Sequence, residues 1–107
     1  MTLFPKSNRR AERRSRKHQQ ADADRLVYES VDLRDGFKCQ GCGRTLTMDG
    51  DLITNGHRHH IRFRSLGGLT TSDNVVMVCA GCHYNIHDHK LKVTGNADHK
   101  LKFEWLP

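Results

Sequence analysis

Apolar positions are sparse over the first 25 residues and become periodic only beyond them. In ADADRLVYESVDLRDG, residues Leu26, Val27, Ser30, Val31 and Leu33 fall mostly on one helical stripe, with acids in the first turn and Gly36 placed to stop it. This pattern predicts an amphipathic helix over residues 21–35. The stretch GRTLTMDGDLITNGHRHHIRF alternates weakly and carries turn signals at Asp49-Gly50 and Asn55-Gly56, which predicts two short strands, the second ending near the histidines. A loop, RSLGGLTTSDN, leads into VVMVC, a valine-rich run that reads as a buried strand or extended segment. CHYNIHDHK can form a short helix in which His83 and His87, four apart, share a face. The last segment alternates on either side of Thr94-Gly95-Asn96 and predicts a hairpin or a pair of edge strands over 90–107, with Val93, Phe103 and Trp105 as packing residues.

Composition changes how this pattern is read. With 107 residues the chain is one domain at most, and residues 1–20 are too polar and basic to join a core, so they are expected to be a disordered arm before a domain at 21–107. A core of that size is marginal unless something cross-links it. Four cysteines are available as two equal spacings, Cys39-Gln40-Gly41-Cys42 and Cys79-Ala80-Gly81-Cys82. Both thiolates of such a knuckle reach one ion, and two knuckles complete the tetrahedral four-cysteine shell of structural zinc. Disulfides are the other reading; no apolar signal segment precedes the domain to favour them, and nothing has the length of a membrane span. A closed four-thiolate shell leaves no open position for chemistry, so this zinc is expected to be structural.

The formal charge of +6 is uneven: residues 1–25 hold eight basic and three acidic side chains, the remainder ten against nine. A basic arm gives a salt-dependent attraction to phosphates, and a solvated tail without a partner has the same composition.

The two cysteine pairs are 36 residues apart, more than the 15–20 of a simple zinc ribbon. The insert holds His57, His59, His60 and Asn74, and His83 and His87 follow the last cysteine directly. Zinc would therefore fasten the helix of His83 and His87 beside the strand end of His59 and His60. Two or three imidazoles on one divalent ion, with a further neutral histidine beside it, suit hydrolysis of a phosphodiester: the ion neutralises phosphate charge while the free imidazole accepts a proton from water.

At CQGC, HHIRFRSLGG, SDNVVMVCAGCHYNIH and, more loosely, RDGFKC, the sequence resembles the HNH endonuclease family. The likeness runs from about Arg34 to His87 and implies an α+β fold, a small zinc-stabilised ββα-metal (His-Me finger) domain with its core over 52–89, an N-terminal helix and a C-terminal hairpin. By the resemblance His59, His83 and His87 would be ligands of a catalytic divalent ion, His60 the general base, and Asn74 the residue bracing the loop that orients it. Many members carry an aspartate where this chain has His59. The imidazole is similar to the colicin-type nucleases and leaves magnesium, manganese, nickel and zinc all open as the catalytic ion.

The residues alone leave alternatives. Adjacent strand residues point to opposite faces, so His59 and His60 could exchange roles. Asn74 could be a turn residue or helix cap, and His87 a phosphate-facing group. His57 reads as a flanking exposed residue, and His18, His89 and His99 as surface histidines. Arg58, Arg62 and Arg64 alternate through the site as a row of phosphate contacts or as an ordinary basic edge. Gly67-Gly68 resembles the family's glycine pair and suits a tight loop or a close backbone approach.

Two functions of different class follow: a metal-dependent DNA endonuclease of low sequence specificity, nicking or cutting duplex DNA, and a zinc-stabilised nucleic-acid-binding module without catalysis. The succession His59, His60, Asn74, His83 favours the first, because a binding module needs no general base. The resemblance further implies a bacteriophage or mobile-element setting in the bacterial cytoplasm, DNA as partner and possible packaging proteins beside it, and no membrane.

Overall fold

The computed structural model describes residues 9–47 and 55–107. A long helix, α1 (Arg9–Asp35), leads to the first knuckle; β1 (Gly56–His60) and β2 (Val75–Cys79) then pair antiparallel, and α2 (Ala80–His87) starts directly after β2. A hairpin of β3 (Leu91–Asn96) and β4 (Lys100–Trp105) closes the chain. Two strands, the helix that follows them and the knuckles give the small α+β arrangement expected. The first of the two strands anticipated before the histidines falls largely in 48–54, outside the described residues; what is described there is two isolated bridges, Lys38 with Thr45 and Thr47 with Asn55.

All five residues of β2 are buried, which explains an apolar run without alternation: the knuckle and the hairpin cover one side and α1 the other. Val76, Met77 and Val78 form the core with Cys39, Leu46, Cys79, Cys82, Ile86, Leu91 and Val93. Phe103 packs partly buried against that core, whereas Trp105, expected to pack, is 62% exposed.

Helix α1 departs from expectation in two ways. It starts at Arg9, not near residue 21, so residues 9–20 of the anticipated disordered arm are helical. Arginine, alanine, glutamate, lysine and glutamine are strong helix formers, and the docked half supplies the nucleus from which a solvated half propagates. Its packed face also differs from the leucine stripe: Leu26 and Leu33 are exposed, while Asp24, Val31 and Asp32 are buried. The acids are buried because they have partners. Arg58 Nε donates to Asp32 Oδ1 at 3.0 Å and its Nη2 to Oδ2, a two-pronged pair between α1 and β1.

A second guanidinium fixes the end of α1. Arg34 donates to the carbonyls of Ser72 (2.6 Å) and Val75 (2.7 Å) and to Asp98 (3.0 Å), while Asp35 accepts from Arg34 and from the Met77 amide. One side chain thus ties α1, the turn before β2 and the tip of the β3–β4 hairpin. Among the described residues, no helix is long and apolar enough to cross a membrane.

Candidate active site

The cysteines come together as their spacing requires. The four Sγ atoms lie within 4.8 Å of one another, and the cysteines are free thiols. Ligands about 2.3 Å from a tetrahedral ion are about 3.8 Å apart along each edge, and Cys42 and Cys79 Sγ are 3.8 Å apart. That separation excludes a disulfide, whose sulfurs sit near 2.05 Å. The amides of Cys42 and Cys82 point at the sulfurs of Cys39 and Cys79, at 3.4 and 3.3 Å. Burial raises the Cys39 thiol, but amide hydrogen bonds from Cys42 and its neighbours outweigh it and bring the pKa to about 7, whereas burial pushes Cys42 and Cys82 up. Metal binding would require all four as thiolates, so the ion and the protons compete for the cluster.

The second group is built on β1 and α2. Alternation along β1 sends His57 and His59 toward α2, and Arg58 and His60 toward α1. On α2 the four-residue spacing puts His83 and His87 on one face, their Nε2 atoms 3.0 Å apart. His59, His83 and His87 offer nitrogens within 4.8 Å of one another. Octahedral ligands at about 2.1 Å are about 3.0 Å apart when adjacent and farther when opposite, so three imidazoles of this spread fit one divalent ion. Burial lowers the pKa of His59 to about 4, with His83 and His87 adding to the effect; burial and His57 do the same for His83. Both are neutral at pH 7, the form that ligates metal.

His60 takes the other face of the strand end. Its Nε2 lies 2.9 Å from Thr70 Oγ1, and its ring meets Tyr28 of α1 edge-on at 6.3 Å. Burial lowers its pKa, Arg64 lowers it further, and Asp24 opposes them. Asn74 is committed to the loop between the strands. Its Oδ1 accepts from the Arg62 amide at 2.8 Å, and its Nδ2 donates to the carbonyls of Leu69 (2.8 Å) and Arg62 (3.2 Å). That loop includes Gly67, in the left-handed region at φ 86°, and Gly68, where a Cβ would stand 1.8 Å from the Arg62 carbonyl oxygen. The glycine pair lets the loop fold back on itself, and Thr70 reaches His60 from its far end.

The arginines do not form one row. The strand stops at His60 and a 3-10 turn covers Arg64–Leu66, so alternation ends between them. Arg58 lies over the Tyr28 ring at 5.2 Å while paired with Asp32, Arg62 Nε donates back to the Leu66 carbonyl, and Arg64 lies 3.7 Å from Asp24 with its side chain 63% exposed. Arg58 and Arg64 line a cleft of about 500 Å³ with Tyr28, His59, His60, Phe63, Ser65, His83 and His87; Arg62 faces a separate groove beside β3.

Four contributors were not expected from the sequence: Thr70, Tyr28, Phe63, which stacks on His87 at 5.1 Å, and His57. His57 is half-buried and not an exposed flanking residue; its Nδ1 lies 2.8 Å from His83 Nδ1. Its shared strand face with His59 was the one available signal. His18, His89 and His99 are exposed, as expected.

The cysteine cluster, the paired strands and the helix carrying two histidines define a small ββα domain with a four-cysteine cluster suited to a metal ion. Residues 39–89 match the family model described as HNH endonuclease, and that segment is similar to an HNH endonuclease domain. No curated protein and no solved structure matches the chain.

Proposed function

We propose that the chain is a metal-dependent DNA endonuclease in which His60 is the general base, His59, His83 and His87 hold the catalytic ion, and the four cysteines hold a structural zinc. The observation that carries this reading is the convergence of His59, His83 and His87 within 4.8 Å in the same cleft as His60, whose Nε2 is engaged by Thr70. A non-catalytic binding module has no use for that arrangement.

With Nε2–H donated to Thr70, His60 keeps the Nδ1 lone pair for a water proton. Its lowered pKa keeps that lone pair available at neutral pH. His57 acts on the other side: if His83 donates Nδ1–H to it, His83 Nε2 is left as a ligand atom, and a partner on the far nitrogen fixes ring and tautomer. Asn74 holds the loop that carries Thr70. A bound divalent ion would supply positive charge to the phosphate and the departing oxygen. Imidazole ligands favour manganese, nickel or zinc, and magnesium belongs in the same trial. Arg58 and Arg64 at the rim serve phosphate positioning, and a cleft with no further base-reading group supports low sequence preference. Cleavage of one or both strands, and a bacteriophage packaging or mobile-element role, belong to this proposal through family likeness alone.

The test is plasmid cleavage by the protein and its His60→Ala variant, freed of loosely bound ions and supplied with magnesium, manganese, nickel or zinc in turn, with bound zinc counted in parallel. Loss of cleavage in the variant, with zinc and DNA binding intact, is the expected result. Absence of cleavage by the unmodified protein with every ion, together with retained DNA binding, would favour the binding module.

A further inference from the structure

The N-terminal half of α1 reaches out from the body: every side chain from Arg9 to Ala23 is exposed, and the molecule is 68 Å long against 27 and 26 Å across. Their charges are not spread evenly around the helix. At 3.6 residues per turn, Arg10 lies five full turns before Tyr28, and Arg14, Lys17 and Ala21 fall within about 40° of the line joining them. The opposite side of the same turns carries Glu12, Ser15 and Gln19. Arg10, Arg13, Arg14 and Lys17 border one shallow surface depression, and Arg14 and Lys17 another with His18 and Ala21, so these cations are neighbours along one side.

The line they follow leads to the cleft. Tyr28 lines it beneath Arg58, and Asp24, one turn earlier on the same side, lies 3.7 Å from Arg64 of the cleft rim. The ion pairs of Arg25 with Asp22 and Glu29 lie beside this line and do not involve its cations. Arg10 is about 27 Å from Tyr28 along the axis, at 1.5 Å per residue. Duplex DNA advances about 3.4 Å per base pair, so the cations lie at a distance of up to about eight base pairs from the cleft.

We propose that Arg10, Arg14 and Lys17 form a rail for the phosphates of the same DNA duplex that enters the cleft, held in phase with it by the unbroken helix. This rests on the reading of the cleft as a DNA site. Charge complementarity supports duplex DNA as the occupant, and continuity with the rim Arg64 supports its being the same molecule. The rail differs from a diffuse basic arm because the face of the helix, and not only its charge, determines binding.

The test uses the full chain in a His60→Ala background, so that binding is read without cleavage, on a 30-base-pair duplex across a salt series. Arg10→Gln/Arg14→Gln is compared with Arg9→Gln/Arg16→Gln, which removes equal charge about 100° or more away. A third variant inserts two alanines between Gln20 and Ala21, turning the stripe by about 200° with every charge kept. The expected result is a salt slope reduced by about two in Arg10→Gln/Arg14→Gln, near 0.9 for each phosphate no longer neutralised. The insertion should give a comparable loss, Arg9→Gln/Arg16→Gln less than half of it, and helicity by circular dichroism should be unchanged. Equal losses in the two double variants, or full affinity in the insertion variant, would overturn the rail. Plasmid cleavage with His60 restored separates the two readings: phase-dependent binding without cleavage by any ion removes the nuclease and keeps the rail, whereas cleavage with phase-independent binding does the reverse.

Discussion

Replacing Asn74 by alanine removes three hydrogen bonds, to the Arg62 amide and to the carbonyls of Arg62 and Leu69, two at 2.8 Å and one at 3.2 Å. Each such bond is worth about 0.5–1.5 kcal/mol net. The side chain is half-buried and the loop can take up water in its place, so the lower end applies, and the total is about 1.5–2 kcal/mol. Backbone contacts of the same residue survive: Asn74 still accepts from the Ile61 amide, and its amide still donates to Thr71. The cost therefore falls on the loop over residues 62–70 and not on β2. A change of about 1.5–2 kcal/mol corresponds to opening about 10–30 times more frequent, and Thr70 leaves His60 in each opening. Amide exchange at Arg62 and Gly68 should accelerate by about that factor, the amides of Val76 and Val78 should keep their protection, and plasmid cleavage should slow while bound zinc stays constant. Asn74→Asp keeps an acceptor for the Arg62 amide but turns a carboxylate toward two carbonyls, so it should be no better than alanine. Unchanged exchange at Arg62 in Asn74→Ala would refute the brace; faster exchange without slower cleavage would refute the link from loop to base.

With His60 as the proposed base, Thr70→Val should lower kcat about tenfold with little change in KM, through loss of the one hydrogen bond to that imidazole, and Thr70→Ser should restore it; a KM effect alone would point to packing instead. Removing zinc from the cysteines, by strong chelation or Cys42→Ser, should abolish the cooperative thermal transition, because structural zinc contributes about 10–16 kcal/mol where a domain's whole stability is about 5–15 kcal/mol; an unchanged transition would show that the apolar core suffices. Stability should also follow the histidines when no ion occupies their site. His59 and His83 have pKa values of about 4 when folded and about 6.5 when unfolded, so between those values the unfolded chain binds more protons. Their contribution is complete above about pH 6.5 and is lost progressively as pH falls toward 4. Urea midpoints at pH 7.5, 6.5 and 5.5 should decline accordingly, with a shallower decline in His59→Gln; a flat series would refute the neutral, buried imidazoles.

Much of the fold and part of the site were legible in short-range pattern. VVMVC announced a buried strand or extended segment, the paired knuckles announced their own convergence, and the spacing of His83 and His87 announced a shared helix face. What was not legible depends on partners distant in sequence. Asp32 reads as a solvated helix residue until Arg58, 26 positions later, arrives beside it. Leu26 and Leu33 read as core because the helical stripe was judged by apolarity, and here acids with guanidinium partners occupy the packed side. Thr70 carries no signal of its own, since only the folding back of the loop at Gly67 and Gly68 brings it to His60. The arginine row failed for a local reason, the end of the strand at His60, which no alternation could locate.

Cys82 and His83 are consecutive residues, so the last thiol of the cysteine cluster and the first helical imidazole of the cleft belong to one turn of α2. The chain between the knuckles is tethered differently: Cys39 and Arg44 bond across the first knuckle, and Thr47 and Asn55 bridge at the foot of β1. Thr47 and Asn55 are held to each other by their bridge, so the foot of β1 is fixed by that pairing. Between Cys82 and His87 a single added residue would turn His87 by about 100° relative to the cysteine cluster at the start of its helix, so that stretch does not accept a change of length.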